Sequence, residues 1–449
     1  MKDSLSEKVY AFTAKNALLS APCHILLGLS GGADSMALLH ILTHWPDAGL
    51  KVSAVHIHHG LRGHAADRDA EFVRQYCEKQ GVSLVTIRED VAAVAQRENC
   101  SLEEAGRRVR YQRFEELRRQ LGADCVVTAH TASDQAETIL MRVMRGSGVD
   151  GLQGISVARG HIRRPLLCAY RDEIEAYCAD HDVPYVLDET NADTRFTRNF
   201  VRHNVLPMLR EMNPSVDEAL NRLAKHAAAD ALYLASVADE ALKAARCTYG
   251  YEASGFIAQP SVIRRRMIKA LLQPVPTVEE SHLVAAELAV LSSGRVSLPD
   301  GWVFAVEQDV VSVYQVKSAP ALYEIPSVPF ELDFGCFHVM IERMTASSKK
   351  YKKVHSLLLQ SAIDYDKISG KLYLRCRREG DYMHPSGRGV GKSIKKLMNE
   401  WRIPAHLRDM YPLLCDDAGA VLVPGYGCDD RVKSDDHTKH YLVCQLSKV

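Results

Sequence analysis

What this 449-residue chain lacks narrows its classes first. Lysine and arginine together number 56, the same as aspartate and glutamate, so net charge is zero. Overall charge therefore names no polyanionic partner, and any nucleic-acid surface must come from local clusters. No apolar run approaches the roughly 20 residues that a membrane helix needs. Residues 1–15 are polar and mixed in charge, unlike a secretory leader. No membrane and a cytoplasmic location are the resulting expectations. The twelve cysteines stand singly, with neither a C-x-x-C pair nor the Cys/His spacing of a metal site. They read as core residues in a reducing compartment, which speaks against zinc and against a cysteine-bound iron–sulfur cluster.

What is present begins with Ile25-Leu26-Leu27-Gly28-Leu29-Ser30-Gly31-Gly32-Ala33-Asp34-Ser35, followed by Met36, Leu38, Leu39 and Leu42 at helical spacing. The pattern predicts a buried parallel strand, a glycine turn, and a helix whose free N–H groups face that turn. Gly31 and Gly32 allow close backbone approach, Ser30 and Ser35 add hydroxyl donors, and the helix dipole favours an anion, so the turn suits phosphate. Asp34 would repel phosphate unless a metal ion sits between them. The lysine of G-x-x-x-x-G-K-[ST] is missing, so this is no kinase-type loop. The stretch resembles the PP-loop of ATP pyrophosphatases, which cleave between the α and β phosphates. The rival reading, a glycine turn that binds nothing, must explain strand, six-residue match and helix as coincidence.

Further along, residues 51–57 read as a strand ending in His56, His58 and His59. A metal is the minority reading there, because His56 and His58 share one face, His59 takes the other, and no carboxylate is near. A loop lining the nucleotide pocket at the carboxyl end of the sheet suits them better. A helix over 65–79, a strand over 83–87 and a short helix over 91–98 follow. Ser101 and Glu104 form the pattern of a capping box, opening a helix to about residue 120 whose buried stripe is Ala105, Val109, Leu117 and Leu121. Most arginines on it read as a solvated basic face; Arg110, beside Tyr111, is set apart as one that can reach a phosphate.

Residues 124–129 form a buried strand, followed by His130-Thr131-Ala132-Ser133-Asp134-Gln135-Ala136-Glu137. Asp134 and Glu137, three apart, share the first turn of a helix just past a strand's carboxyl end. Such a pair can hold the ammonium groups of an amino substrate or a magnesium ion; dipole compensation alone is the rival. Residues 146–151 match G-x-G-x-x-G but follow a helix, so they are read as a loop. Arg198 and Arg202 would share a helix face and can grip phosphate or carboxylate bidentately, an ordinary ion pair being the alternative. From residue 213 the chain turns alanine-rich and helical over 216–245, 263–272 and 281–291, with a strand pair near 295–316. A proline-bearing connector over 319–329 leads to a β-rich region. There Ser386 replaces the first glycine of a Walker loop, and Lys392, Lys395 and Lys396 suggest a phosphate-backbone contact surface.

Taken together, the chain resembles the long, three-domain bacterial tRNA(Ile)-lysidine synthetases. The resemblance spans about residues 24–431 and rests on 30–35, 56–62, 107–114, 128–138, 145–151, 164–167, 188–191, 198–203, 377–381 and 392–397. It implies an α/β fold with three parts: an N-terminal parallel-sheet PP-loop domain like the adenine nucleotide alpha hydrolases (1–213), a mostly helical tRNA-binding middle domain (214–318), and a small β-rich tRNA-binding C-terminal domain (319–449). It implies ATP and Mg2+ as cofactors, free L-lysine and a CAU-anticodon isoleucine tRNA as substrates, and lysidine as product. A homodimer is carried as the assembly expectation, with no residue to specify it. The implied nucleotide-binding residues are Ser30, Gly31, Gly32, Ala33, Asp34, Ser35 and His56, with Asp34 on the metal. Arg110 or His130 would neutralise charge at the α-phosphate, Asp134 and Glu137 would bind lysine, and Arg198 or Arg202 would hold its carboxylate or a tRNA phosphate. The alternatives are a PP-loop tRNA sulfur transferase, against which the isolated cysteines count, and a tRNA-binding protein whose site has lapsed, against which the intact Asp34, Asp134 and Glu137 count.

Overall fold

The computed structural model describes residues 4–46, 49–58, 64–186, 197–316, 320–345 and 362–448. The histidine loop beyond His58 and the Asp188–Asp193 motif with Phe196 lie outside them. The chain divides into two compact units, Met1–Tyr233 and Leu234–Val449.

The first unit is built on β1 (Cys23–Gly28), β2 (Leu50–His58), β3 (Ser83–Arg88), β4 (Cys125–Val127), β5 (Ala158–Arg159) and β6 (Ile162–Arg163). They form one sheet in the order β3-β2-β1-β4-β6-β5, parallel except for β5. Strand β1 reads as an unbroken apolar run because both its faces are covered. Ile25 and Leu27 pack with Met36, Leu38 and Leu39 of α1 (Ala33–Thr43) on one face. Leu26 packs with Val55, Val126, Phe114 and Leu117 on the other. Phe114 and Leu117 belong to α2 (Leu102–Leu121), which approaches so closely that a Cβ on Gly28 would lie 2.6 Å from the Phe114 ring. After β1 the sheet order runs to β2 on one side and β4 on the other. The crevice at the carboxyl ends of β1 and β4 is thus the topological switch point, where ligands of such sheets bind.

Two local expectations change. Ser101 accepts from the Glu104 N–H, but the reciprocal half of the capping box does not form. Leu121 is exposed and not part of the buried stripe, because α2 stops there and Gly122 turns the chain in the left-handed region.

In the second unit, helices Ser261–Leu271 and Glu280–Ser292 pack Met267, Ile268 and Val290 against Phe304, Val306 and Val311. Those last three belong to a five-stranded antiparallel sheet, richer than the strand pair expected from sequence. Gly294–Ser297 adds an edge, and Arg246–Cys247 with Gly250–Glu252 adds two strands between two expected helices, where no element was expected. The remainder is β-rich, with a five-stranded and a four-stranded sheet enclosing Leu374, Leu413, Leu422, Phe337 and Leu442. Among the described residues no helix is long and apolar enough to cross a membrane.

Candidate active site

The turn between β1 and α1 is shaped by its own side chains. Gly31 has φ +90, a backbone conformation that side chains strain, and a Cβ there would sit 3.1 Å from Val73. The Ser35 hydroxyl accepts from the Ser30 and Gly31 N–H groups, each at 3.2 Å, and donates to the Gly32 carbonyl at 3.0 Å. Ser35 is buried and its hydroxyl is used inside the turn. It holds the backbone open. Gly32 is the N-cap of α1 and offers no side-chain cap, so the N–H groups that open the helix are left to an external acceptor.

His56 fixes the floor of this turn. It is buried, and its Nδ1 donates to the Leu29 carbonyl at 2.9 Å, while the Leu29 N–H reaches the Val55 carbonyl. His58 instead faces Asp67, with Nε2 3.4 Å from Oδ1. The two histidines do not converge on a metal, and among the described residues no group of three potential ligands does.

Asp34 opens α1. Burial is the main cause that pushes its carboxyl up to about 6; Asp134 and Glu137 add to the rise, and Arg171 and Arg202 oppose it. Its Oδ2 is 4.0 Å from Arg171, and its Oδ1 is buried without a hydrogen-bond partner. A buried carboxylate oxygen with nothing to accept from is costly, and this fits a divalent cation. With one protein carboxylate, the fit is to a magnesium-like ion that takes its other ligands from phosphate and water.

Asp134 and Glu137 come from α3 (Ala132–Met144), which follows β4. Thr131 and Asp134 make a complete capping box: the Thr131 hydroxyl accepts from the Asp134 N–H at 3.1 Å, and Asp134 Oδ2 accepts from the Thr131 N–H at 3.0 Å. The Thr-x-x-Asp spacing announces this box in the sequence. Its other oxygen meets Arg198 at 3.0 Å and Arg202 at 3.4 Å. Glu137, 1% exposed, accepts from Arg198 Nε at 2.8 Å and from Arg202 Nε and Nη2 at 2.5 and 3.0 Å. Arg198 lies on the short helix Thr197–Phe200 and Arg202 in the π-helical turn Val201–Val205 that continues it. Burial works to raise the Asp134 carboxyl, but Arg198 outweighs it with help from His130 and the Thr131 N–H, so the group sits below its ordinary value. Burial works to lower Arg198, and Asp134 and Glu137 outweigh that, leaving it raised.

His130 lies between these charges, its Nδ1 3.0 Å from the Thr128 hydroxyl. Burial is the main cause that lowers it to about 4; Asp134 opposes, while Arg164, Arg198 and Arg107 add to the fall. It is neutral at pH 7. Arg110 has no ion pair among the described residues, and desolvation, opposed by Tyr111 and helped by Arg107 and Arg198, holds its guanidinium below the ordinary value. Arg164, Arg171 and Tyr111 also belong to this neighbourhood. Sequence reading gave none of them a role, and nothing local marks Arg171 as facing Asp34.

In the second unit, Lys392 closes on Glu400 at 2.6 Å, as does Arg388 at 2.8 Å. Lys395, Lys396 and Arg378 are exposed and make no ion pair among the described residues.

Residues 1–209 match the PP-loop domain family, and residues 372–444 match the TilS substrate C-terminal domain. A tRNA(Ile)-lysidine synthase of Parabacteroides distasonis is 32% identical over 96% of this chain and 97% of its own length. One from Clostridium tetani is 31% identical over 94% of each. Among solved structures, a U34-tRNA thiolase of Methanococcus maripaludis aligns with a TM-score of 0.42 and 16% identity, over 50% of this chain and 79% of its own.

Proposed function

The chain belongs to the tRNA(Ile)-lysidine synthase family, ATP-using ligases that modify tRNA, and from that membership we infer a two-step reaction in the first unit. In the first step the 2-carbonyl oxygen of the wobble cytidine, in an isoleucine tRNA with a CAU anticodon, attacks the α-phosphorus of ATP. The bond to the β-phosphate breaks and pyrophosphate leaves. In the second, the ε-amine of free lysine attacks C2, the carbon–oxygen bond to AMP breaks, and a proton is lost from nitrogen. The product base pairs with A instead of G, and the tRNA accepts isoleucine instead of methionine.

The residues divide between the two steps. The turn of Ser30, Gly31, Gly32 and Ala33 would cradle the phosphates: Ser35 and His56 hold its shape by engaging the Ser30 and Gly31 N–H groups and the Leu29 carbonyl, and the N–H groups that open α1, from Ala33 on, are the ones offered to phosphate. Asp34 would hold Mg2+, which when bound offsets phosphate charge and polarises the α-phosphoryl group. Arg110 supplies full positive charge at the α-phosphate; neutral His130 can supply only a hydrogen bond there. Lysine brings two ammonium groups and one carboxylate. Asp134 and Glu137 take the ammonium charge, and Arg198 and Arg202 turn from them to the lysine carboxylate, so the site exchanges ion pairs without gaining net charge. The ε-amine, with a pKa near 10.4 in free lysine, must be deprotonated before attack; His130, unprotonated at neutral pH, is available to accept that proton.

One observation carries the reading: the turn after β1 and the first turn of α3 follow adjacent parallel strands, and Arg171 spans them with its N–H on the Ser133 hydroxyl at 3.1 Å and its guanidinium 4.0 Å from Asp34, which supports one site for the phosphate end and the amine end. The test is incubation with ATP, radiolabelled lysine and CAU-anticodon isoleucine tRNA. The expected result is ATP-dependent label in the tRNA; label that no lysine concentration produces would refute the assignment.

A further inference from the structure

The arginines of α2 and α3 have unequal fates. On α2, Arg108 pairs with Glu98, Arg113 with Glu89 and Glu116, and Arg118 and Arg119 share Glu115. Arg107 and Arg110, three residues apart and therefore neighbours on the helix surface, meet no carboxylate among the described residues. The same holds for Arg145, just past α3. Arg107 lies over the ring of Tyr111, 4.9 Å from its centroid. Behind this surface, Arg142 donates to the carbonyls of Gly151 and Gly154. Arg164, 4% exposed, donates to the Ser156 carbonyl at 2.6 Å and the Tyr111 hydroxyl at 3.5 Å, its Nε unpartnered.

Five guanidinium groups thus gather with neutral partners or none, in a unit that pairs its other α2 arginines. They sense one another: Arg142 is lowered first by burial and then by Arg107 and Arg145. Like charges held together without counter-ions oppose folding, so a partner that supplies the negative charge would gain from meeting them. The buried members do structural work: Arg164 holds Tyr111, and Arg142 pins the 151–154 loop. The exposed members, Arg107, Arg110 and Arg145, present forks suited to phosphate. A guanidinium laid over an aromatic ring is also a flat platform on which an unpaired base can stack.

We propose that Arg107 and Arg145, beside Tyr111, form the docking surface for the unpaired RNA loop that carries the reacting base, with Arg107 on Tyr111 as a stacking platform for a loop base and Arg145 on a backbone phosphate, Arg110 being left to the α-phosphate. This rests on the preceding reading of the site, and it assigns loop positioning to residues outside the phosphate turn and the carboxylate pair.

The test measures affinity of the full chain for a hairpin RNA with a CAU loop, across salt concentrations, by filter binding. The double variant Arg107→Ala/Arg145→Ala should bind at least about tenfold more weakly, and its slope of log affinity against log salt should shrink by about 0.7, for the one phosphate that Arg145 meets. Arg145→Lys should keep both slope and affinity, because a point charge suffices for phosphate. Arg107→Lys should keep the slope but lose affinity, because an ammonium does not stack as guanidinium does. ATP binding without RNA and the thermal midpoint should stay unchanged in all three. Wild-type slope and affinity in the double variant would overturn the proposal. So would displacement of the hairpin by polyglutamate at equal charge concentration, which would assign the surface to an acidic protein. If lysine incorporation fails while the arginine-dependent hairpin binding holds, the reaction is misread and the surface stands. If incorporation succeeds while the variants bind normally, the surface is misread and the reaction stands.

Discussion

Asp34, half-buried with one oxygen sealed from solvent, and the buried pair Asp134 and Glu137 are carboxylates of one unit, yet their surroundings treat them in opposite ways. Asp134 and Glu137 are met by two arginines at 2.5–3.4 Å, and the Asp134 carboxyl falls below its ordinary value. Asp34 has one cation at 4.0 Å, an oxygen with no partner, and a carboxyl raised to about 6. The difference is one of partner: the first pair is completed by the chain itself and Asp34 is not, and in the proposed reaction the pair would reopen for an amine while Asp34 would take a cation. Desolvation sets the problem in both places, and geometry decides which solution the fold adopts.

The largest effect should come from removing a carboxylate that the chain has paired. Glu137→Ala leaves two part-buried arginines, Arg198 and Arg202, with Asp134 as their one remaining carboxylate, and its expected cost is about 3 kcal/mol. A urea titration read by exchange protection of the α3 amides measures it. A loss below about 1 kcal/mol, the range of exposed pairs, would put Glu137 in the same class as the surface glutamates of α2 and break the contrast. Replacing Arg202 by Ala in the same chain should recover part of the loss, since the stranded charge is then gone.

A smaller effect of opposite sign is expected at Asp34. Its carboxyl is raised from 3.8 to about 6, so between those pH values the folded chain keeps a proton that the unfolded chain has released. Stability therefore falls as pH rises through that window and stays lower above it. Asp34→Asn removes the titration, and without Mg2+ it should stabilise the first unit at pH 8 by up to about 2 kcal/mol while abolishing turnover. Equal midpoints for the variant and the parent chain at pH 5 and pH 8 would show that Asp34 is not carrying an uncompensated charge.

How legible the molecule was from sequence follows the range of each interaction. The run ending at Gly28, the positive turn at Gly31 and the apolar positions of α1 are local, and they read directly as strand, turn and helix. The Asp134 and Glu137 pairing with helix spacing is local too. Their arginine partners are 61 to 68 residues away, so sequence could offer Arg198 and Arg202 as a gripping pair without saying what they grip. Nothing in the spacing of Ser35 shows that its hydroxyl turns back to Ser30, Gly31 and Gly32. On α2, Glu115 and Glu116 sit three or four residues from their arginines and could be paired by eye, whereas Glu89 and Glu98 come from other segments. The unpaired state of Arg107 and Arg110 could be seen only after those contacts were known. The hairpin in the second unit shows a related limit. Its turn at Gln308 and Asp309 takes positive φ at both residues, the geometry that suits a two-residue hairpin, but without the glycine that usually announces it.

The division of labour between the two kinds of carboxylate is tested most directly with ATP labelled in its α-phosphate, CAU-anticodon isoleucine tRNA, and no lysine. The parent chain and Glu137→Gln should both place label on the tRNA, because activation of the base needs only the phosphate end of the site. Asp34→Asn should place none. Labelled tRNA from Asp34→Asn, or its loss from Glu137→Gln to the same degree, would contradict the account.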